Sequence, residues 1–263
     1  MSGLRLCHMI AVLGLAAFCV MNTAQRPMAD SGGAAIPLPA GDKKQIEKLL
    51  GNGVVGDPQP SAPLGTPESY MPPKGSSMSY QVVQKGKKTL ERHKVGDITD
   101  PSLAPGWQYS IEKEGSGFFQ KAADGKLYMV EEQDLVNEVQ TRFTPGDPLI
   151  IPGLKPGESR KLTEQVAVYD LSDLSKVSHS GSLDVIYTYV GTYRVTVPAG
   201  AYNAVLIKWD YEGEVGPADV KDSQYRFLAP GAGMVAMAQI RSISAMLIYN
   251  DHTKRGKLLQ RIQ

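Results

Sequence analysis

At 263 residues the chain is long enough for one or two domains with a sizeable core. Its 28 basic and 27 acidic residues leave a net charge of +1, so no whole-molecule field draws in nucleic acid or an anionic membrane. Both cysteines, Cys7 and Cys19, precede residue 20, so a chain that loses this segment has no disulfide, thiolate metal site or cysteine nucleophile.

Arg5 precedes an apolar run from Ile10 to Met21. Twelve helical residues reach only ~18 Å, short of a ~30 Å hydrocarbon core but suited to a signal peptide. Residues 1–24 are therefore expected to direct export, placing the protein in the periplasm or at the outer membrane of a Gram-negative bacterium. Cys19 is the candidate for lipid attachment. Phe18 stands where bacterial lipoproteins carry a small residue, so a cleaved soluble protein and an uncleaved anchor are the alternatives.

Residues 25–75 are expected to form a Pro- and Gly-rich tether. Within it Asp42–Leu50 reads as a short helix, with Asp42 as N-cap, Ile46, Leu49 and Leu50 on one face, and Gly51 as stop. Six prolines between Asp57 and Pro73 argue for an extended spacer. From Ser76 the pattern changes to period 2. Met78, Tyr80 and Val82 alternate with polar residues, as do Trp107, Tyr109 and Ile111, and Leu135–Phe143. Ala123-Asp-Gly125 predicts a tight hairpin turn, Thr144–Pro148 a corner, and Leu171–Ser180 a polar connection. Ser182–Val197 and Asn203–Tyr211 carry the clearest alternation, and Gly191 is the natural site for a bulge. Without crossover segments for parallel strands, residues 76–250 are expected to form an all-β domain: a single curved antiparallel sheet or a partly closed β-barrel. Residues 251–263, with Lys254, Arg255, Lys257 and Arg261, read as a basic solvated tail that could touch anionic lipid or polymer.

Thr196-Val-Pro-Ala-Gly-Ala-Tyr202 is followed about thirty residues later by Leu228-Ala-Pro-Gly-Ala-Gly-Met-Val235. This pairing resembles exported bacterial β proteins of the DUF3108 and TapB-like kind, and Gly153-Leu-Lys-Pro-Gly-Glu158 resembles the turn that precedes the region in such proteins. The resemblance covers roughly residues 145–240 and departs at Tyr202, where Phe is commoner. It implies a curved sheet or partly closed barrel in an envelope protein and supplies no catalytic residues.

Gly231-Ala-Gly-Met-Val-Ala236 matches a dinucleotide fingerprint on paper, but strand patterns flank it where a helix is needed. No nucleophile elbow occurs, and His93, His179 and His252 are too scattered to pair with a serine or hold a metal. No cofactor, metal site or catalytic residue is therefore assigned. The remaining candidates are aromatic: Trp107, Tyr109, Tyr187, Tyr189, Trp209 and Tyr211. On alternate strand positions such rings form a core, or else a concave face holding an apolar or sugar ligand. The sequence thus points to a non-enzymatic exported envelope protein that binds an apolar or polymeric ligand, or another envelope component, on that face. The alternatives are a glycan hydrolase using separated carboxylates among Glu112, Glu131, Glu212 and Glu214, and a structural assembly factor.

Overall fold

The computed structural model describes residues 33–245 and 249–263. The expected export signal and Cys19 lie outside them. A helix, α1 (Ala40–Leu50), and a short strand, β1 (Val55–Gln59), precede twelve strands. These are β2 (Ser77–Gln84), β3 (Lys87–Asp97), β4 (Gly106–Ile111), β5 (Gly115–Lys121), β6 (Leu127–Asp134) and β7 (Val139–Pro148), then β8 (Ser159–Asp170), β9 (Asp173–Val197), β10 (Gly200–Val215), β11 (Ala218–Ala229), β12 (Gly233–Ala245) and β13 (Tyr249–Ile262). From β2 onward each strand pairs antiparallel with the next, and β13 returns to pair with β2. The product is a closed up-and-down barrel, in which each of these strands has a neighbour on both sides.

The bulge expected at Gly191 is present: Leu206 faces Gly191 and Ile207 faces Tyr189, leaving Val190 as the extra residue. Gly191 takes φ +156° there. Beyond the bulge β9 exchanges partners, leaving β8 at Thr188 and taking β1 at Thr192–Val195. Pro58 lies in this short outer strand, where its missing N–H costs no ladder bond in the barrel wall.

Several expectations are corrected. Residues 251–262 belong to β13, because Arg255 and Lys257 turn inward to buried partners while Leu259 packs in the core. Leu171–Ser180 is largely strand: β9 starts at Asp173 and pairs with β8 beyond the barrel wall, where both faces are wet and most side chains are polar, Leu174 and Val177 apart. Leu135–Glu138 is a tight turn fixed by the Asp134 carboxylate, which accepts from the Val136 and Asn137 N–H groups at 2.9 Å. β7 therefore begins at Val139 and runs through the expected corner to Pro148.

The N-terminal segment is no free spacer. Leu64, Tyr70 and Met71 are buried, and a 3-10 turn spans Pro67–Tyr70. Leu64 and Leu154, Gly153 and Leu64, and Gly231 and Ser69 are joined by backbone bonds of 2.8–2.9 Å, so residues 61–76 close one end of the barrel. Helix α1 starts at Ala40 with Pro39 as its N-cap, so Asp42 sits in the first turn instead. There its carboxylate accepts a 2.7 Å bond from the Tyr225 hydroxyl and lies 3.4 Å from Lys208 Nζ. Ile46 and Leu50 are the helix's buried residues, and α1 lies against β12 and β13. Gly256 permits this approach, because a Cβ there would lie 2.3 Å from the Leu49 carbonyl.

Candidate functional site

The barrel interior has two contrasting halves. Toward the closed end it is filled with rings. Tyr187 meets Trp209 edge-on at 5.0 Å, Tyr109 tilts against Phe119 at 5.7 Å, and Tyr80 lies 4.7 Å from the His93 ring. Of the six aromatic residues singled out in the sequence, Tyr109, Tyr187, Tyr189, Trp209 and Tyr211 are buried. Trp107 is half-buried, with the Lys74 ammonium 4.9 Å from its ring. The structure therefore brings five of the rings into one packed interior and leaves the sixth at its border.

The other half is charged. Glu91 accepts from Arg255, Lys257 and, at 3.0 Å, from His93 Nε2. Burial is the main cause holding His93 well below its ordinary pKa, with the Lys257 charge adding to it. The neutral ring thus carries its proton on Nε2 and donates it to Glu91. Asp222 accepts from Gln224 at 2.7 Å and Gln239 at 2.8 Å, and Arg241 meets Asp251 at 3.0 Å. Arg226 links the halves: its guanidinium stacks 4.1 Å from the Trp209 ring, and its Nη2 lies 3.8 Å from Asp147.

Between these groups lies an internal cavity with about 20 Å³ of room for the centre of a water molecule, enough for roughly one water. Glu132, Asp147, Glu164, Asp222 and Tyr211 line its polar side, and Phe143 and Val166 belong to its apolar side. Tyr211 donates a 2.5 Å bond to Asp147 Oδ2. Both oxygens of Glu164 and one each of Glu132, Asp147 and Asp222 have no hydrogen-bond partner. Burial, reinforced by the Asp147 charge, pushes Glu164 up to about 9. Burial with the Asp134 charge pushes Glu132 up to about 8, and burial raises Asp222 to about 6 against its two amide donors. Glu164 and Glu132 therefore carry protons at neutral pH. Among the described residues no group of three or more His, Cys, Asp or Glu is placed to hold a metal ion.

The carboxylates considered for hydrolysis do not converge on this cavity. Glu112 faces solvent against Arg92 at 3.1 Å, and Glu212 is exposed and paired with Lys221. Glu131 is bound by Arg142 at 3.0 Å. The outer wall carries an open groove of about 560 Å³ that includes Lys161, Asp184, Ile186 and Asp210. The glycine pattern at 231–236 is the β11–β12 turn running into a strand.

Sequence reasoning missed the inner carboxyl cluster. In β11, Asp222, Gln224 and Arg226 alternate with Ser223, Tyr225 and Phe227, and apolar residues are the ordinary inward choice. Here the register pairs Gln224 with Trp209 and Asp222 with Tyr211, so the polar set points inward. Tyr225 and Phe227 point outward, where Tyr225 meets α1 through Asp42.

No family model and no curated protein matches the chain. The DUF3108 and TapB-like resemblance is thus not supported as membership. The chain is similar, at low identity, to solved structures. A protein with a YmcC-like fold from Bacteroides fragilis, proposed to be exported, is 17% identical with a TM-score of 0.47, over 77% of this chain and 100% of that one. A proposed lipoprotein from Parabacteroides distasonis is 12% identical with a TM-score of 0.37, over 74% and 98%. The hypothetical lipoprotein YmcC from Escherichia coli is 9% identical with a TM-score of 0.36, over 86% and 100%. Likeness at this depth does not assign an activity.

Proposed function

We propose that the chain is a non-enzymatic exported component of the bacterial envelope that docks another envelope protein on the rim opposite its closed end. Export rests on Arg5 and the apolar run Ile10–Met21. The observation that carries the docking reading is a set of exposed apolar side chains on two neighbouring hairpins. Leu135 and Val136 of the β6–β7 turn are 53% and 69% exposed, and Leu174 and Val177 of β9 are 40% and 45% exposed. The turns are laced together: Leu171 N–H donates to the Glu138 carbonyl, and Leu135 N–H to the Glu114 carbonyl, at 2.9 and 2.8 Å. A rigid rim with clustered apolar tips is a feature of interaction surfaces. The non-enzymatic part of the reading is supported by the ion-paired exterior positions of Glu112 and Glu212. In this reading Tyr187, Tyr189, Trp209 and their neighbours act as packing and not as a ligand face.

The test is site-specific photocrosslinking in cells with the probe at Val136 or Leu174, against a probe at Lys161 on the outer wall. A discrete adduct from both rim positions, lost when Leu135 and Val177 are changed to Asp, is the expected result. Equal adducts from Lys161, or rim adducts that survive the Asp changes, would overturn the reading.

A further inference from the structure

Between β7 and β8 the backbone ladder stops early. Pairing runs from Val139 opposite Asp170 to Thr144 opposite Gln165 and goes no further. Pro145 and Pro148 have no N–H to extend it, and Gly146 and Asp147 lean toward β6, where Asp147 pairs with Met129. Asp147 of β7 and Glu164 of β8 face the interior at the point where the ladder is lost, and both line the cavity. Loop 149–158 covers the gap from the closed end, held by Leu149 N–H to the Leu127 carbonyl and Gly157 N–H to the Tyr189 carbonyl.

We propose that Asp147 and Glu164 hold the β7–β8 seam through a shared proton, and that losing this proton opens the seam beside the interior cavity. Glu164 is 1% exposed, and neither of its oxygens receives a donor from the surrounding protein. Two carboxyl groups can bond each other only when one of them carries a proton. Burial raises Asp147 as well, but Arg226 and the Tyr211 hydroxyl act against it and favour charge there, whereas no donor does so for Glu164, which leaves the proton on Glu164. Burial and the Asp147 charge raise Glu164 in the same sense.

Titratable and charged groups face the chamber from several strands: Glu132 and Asp134 from β6, Asp222 and Arg226 from β11, Arg241 from β12 and Lys257 from β13, with the Tyr187 and Tyr211 hydroxyls, held neutral by burial, from β9 and β10. With room for about one water, the cavity cannot solvate two adjacent carboxylates. Ionising both places like charges across a seam that lacks its backbone bonds. This inference is independent of the docking rim.

The sign follows from proton linkage. Glu164 is protonated in the folded chain up to about pH 9 and ionised in the unfolded chain above ~4.3, so its contribution to stability falls as pH rises between those values. Glu164→Gln keeps the shape and removes the titration. The folding constant of the variant relative to wild type, from denaturant titrations, should rise about tenfold per pH unit from pH 5 to 8. Limited proteolysis should begin to cut loop 149–158 above pH 9 in wild type and leave the variant intact. A ratio that does not change with pH, or equal cutting of both proteins, would overturn the proposal. Infrared spectroscopy of wild type provides the second reading should the variant not fold. A protonated-carboxyl band at pH 7 that persists in Glu132→Gln, which removes the other buried protonated carboxyl, and disappears by pH 10 supports the shared proton. Its absence at pH 7, or its loss on adding sodium or calcium chloride at pH 7, would mean that cations neutralise the pair, and would overturn it.

Discussion

The two halves of the barrel interior share one wall and obey different physics. In the ring-filled half, Tyr187, Trp209, Tyr109 and Phe119 fill space among themselves, and stability comes from apolar area removed from water. In the charged half Glu91 gathers two cations and a histidine, while Glu132 and Glu164 avoid the cost of buried charge by holding protons. One half is fixed by shape. The other is fixed by protonation, and responds to pH.

The largest expected break in this contrast is Trp209→Ala, which removes the centre of the ring half and the surface on which Arg226 stacks. It should cost about 3–5 kcal/mol in denaturant titrations. Glu91→Gln comes next: it removes the carboxylate charge that both buried cations, Arg255 and Lys257, bond, and should cost roughly 3 kcal/mol. Ile46→Ala loosens α1 from β12 and β13 without touching either half, and about 2 kcal/mol is expected.

A smaller effect separates two parts of the charged half by pH. His93 is held neutral against Tyr80, so the unfolded chain alone takes up its proton below ~6.5, and stability is lost as pH falls. His93→Gln should therefore flatten the acid side of the midpoint-against-pH curve, the opposite limb from the one Glu164 controls. A His93 variant whose acid limb matches wild type would place the titration elsewhere. The smallest effect belongs to the outer wall. Lys221→Ala, which removes the exposed partner of Glu212, should leave the unfolding midpoint unchanged.

The ring half was legible in the sequence and the charged half was not, for a physical reason. Alternation in Val205, Ile207, Trp209 and Tyr211 coincides with apolar-in, polar-out, so strand type follows from period 2, and the Gly191 bulge from a glycine inside a long strand. In β11 and β13 the inward positions are Asp222, Gln224, Arg226, Arg255 and Lys257. A period-2 pattern gives the spacing of a face without saying which face is inside, and only the ladder register decides it. The same ambiguity made residues 251–263 look like a solvated tail. The N-terminal segment read as a tether because prolines exclude regular structure, yet Leu64, Tyr70 and Met71 can still be buried as an irregular cap. The inner carboxyl pair was invisible for a further reason: Asp147 and Glu164 meet only because a ladder ends between them.

The central claim is that the five buried aromatic residues form a solid core and that recognition happens outside the barrel. Native mass spectrometry of the protein released gently from cells tests this most directly. The account predicts the bare chain mass, with any mass that lies outside the polypeptide unaffected by Tyr187→Phe and Trp209→Phe. A stoichiometric lipid or glycan adduct that those two substitutions remove would contradict it.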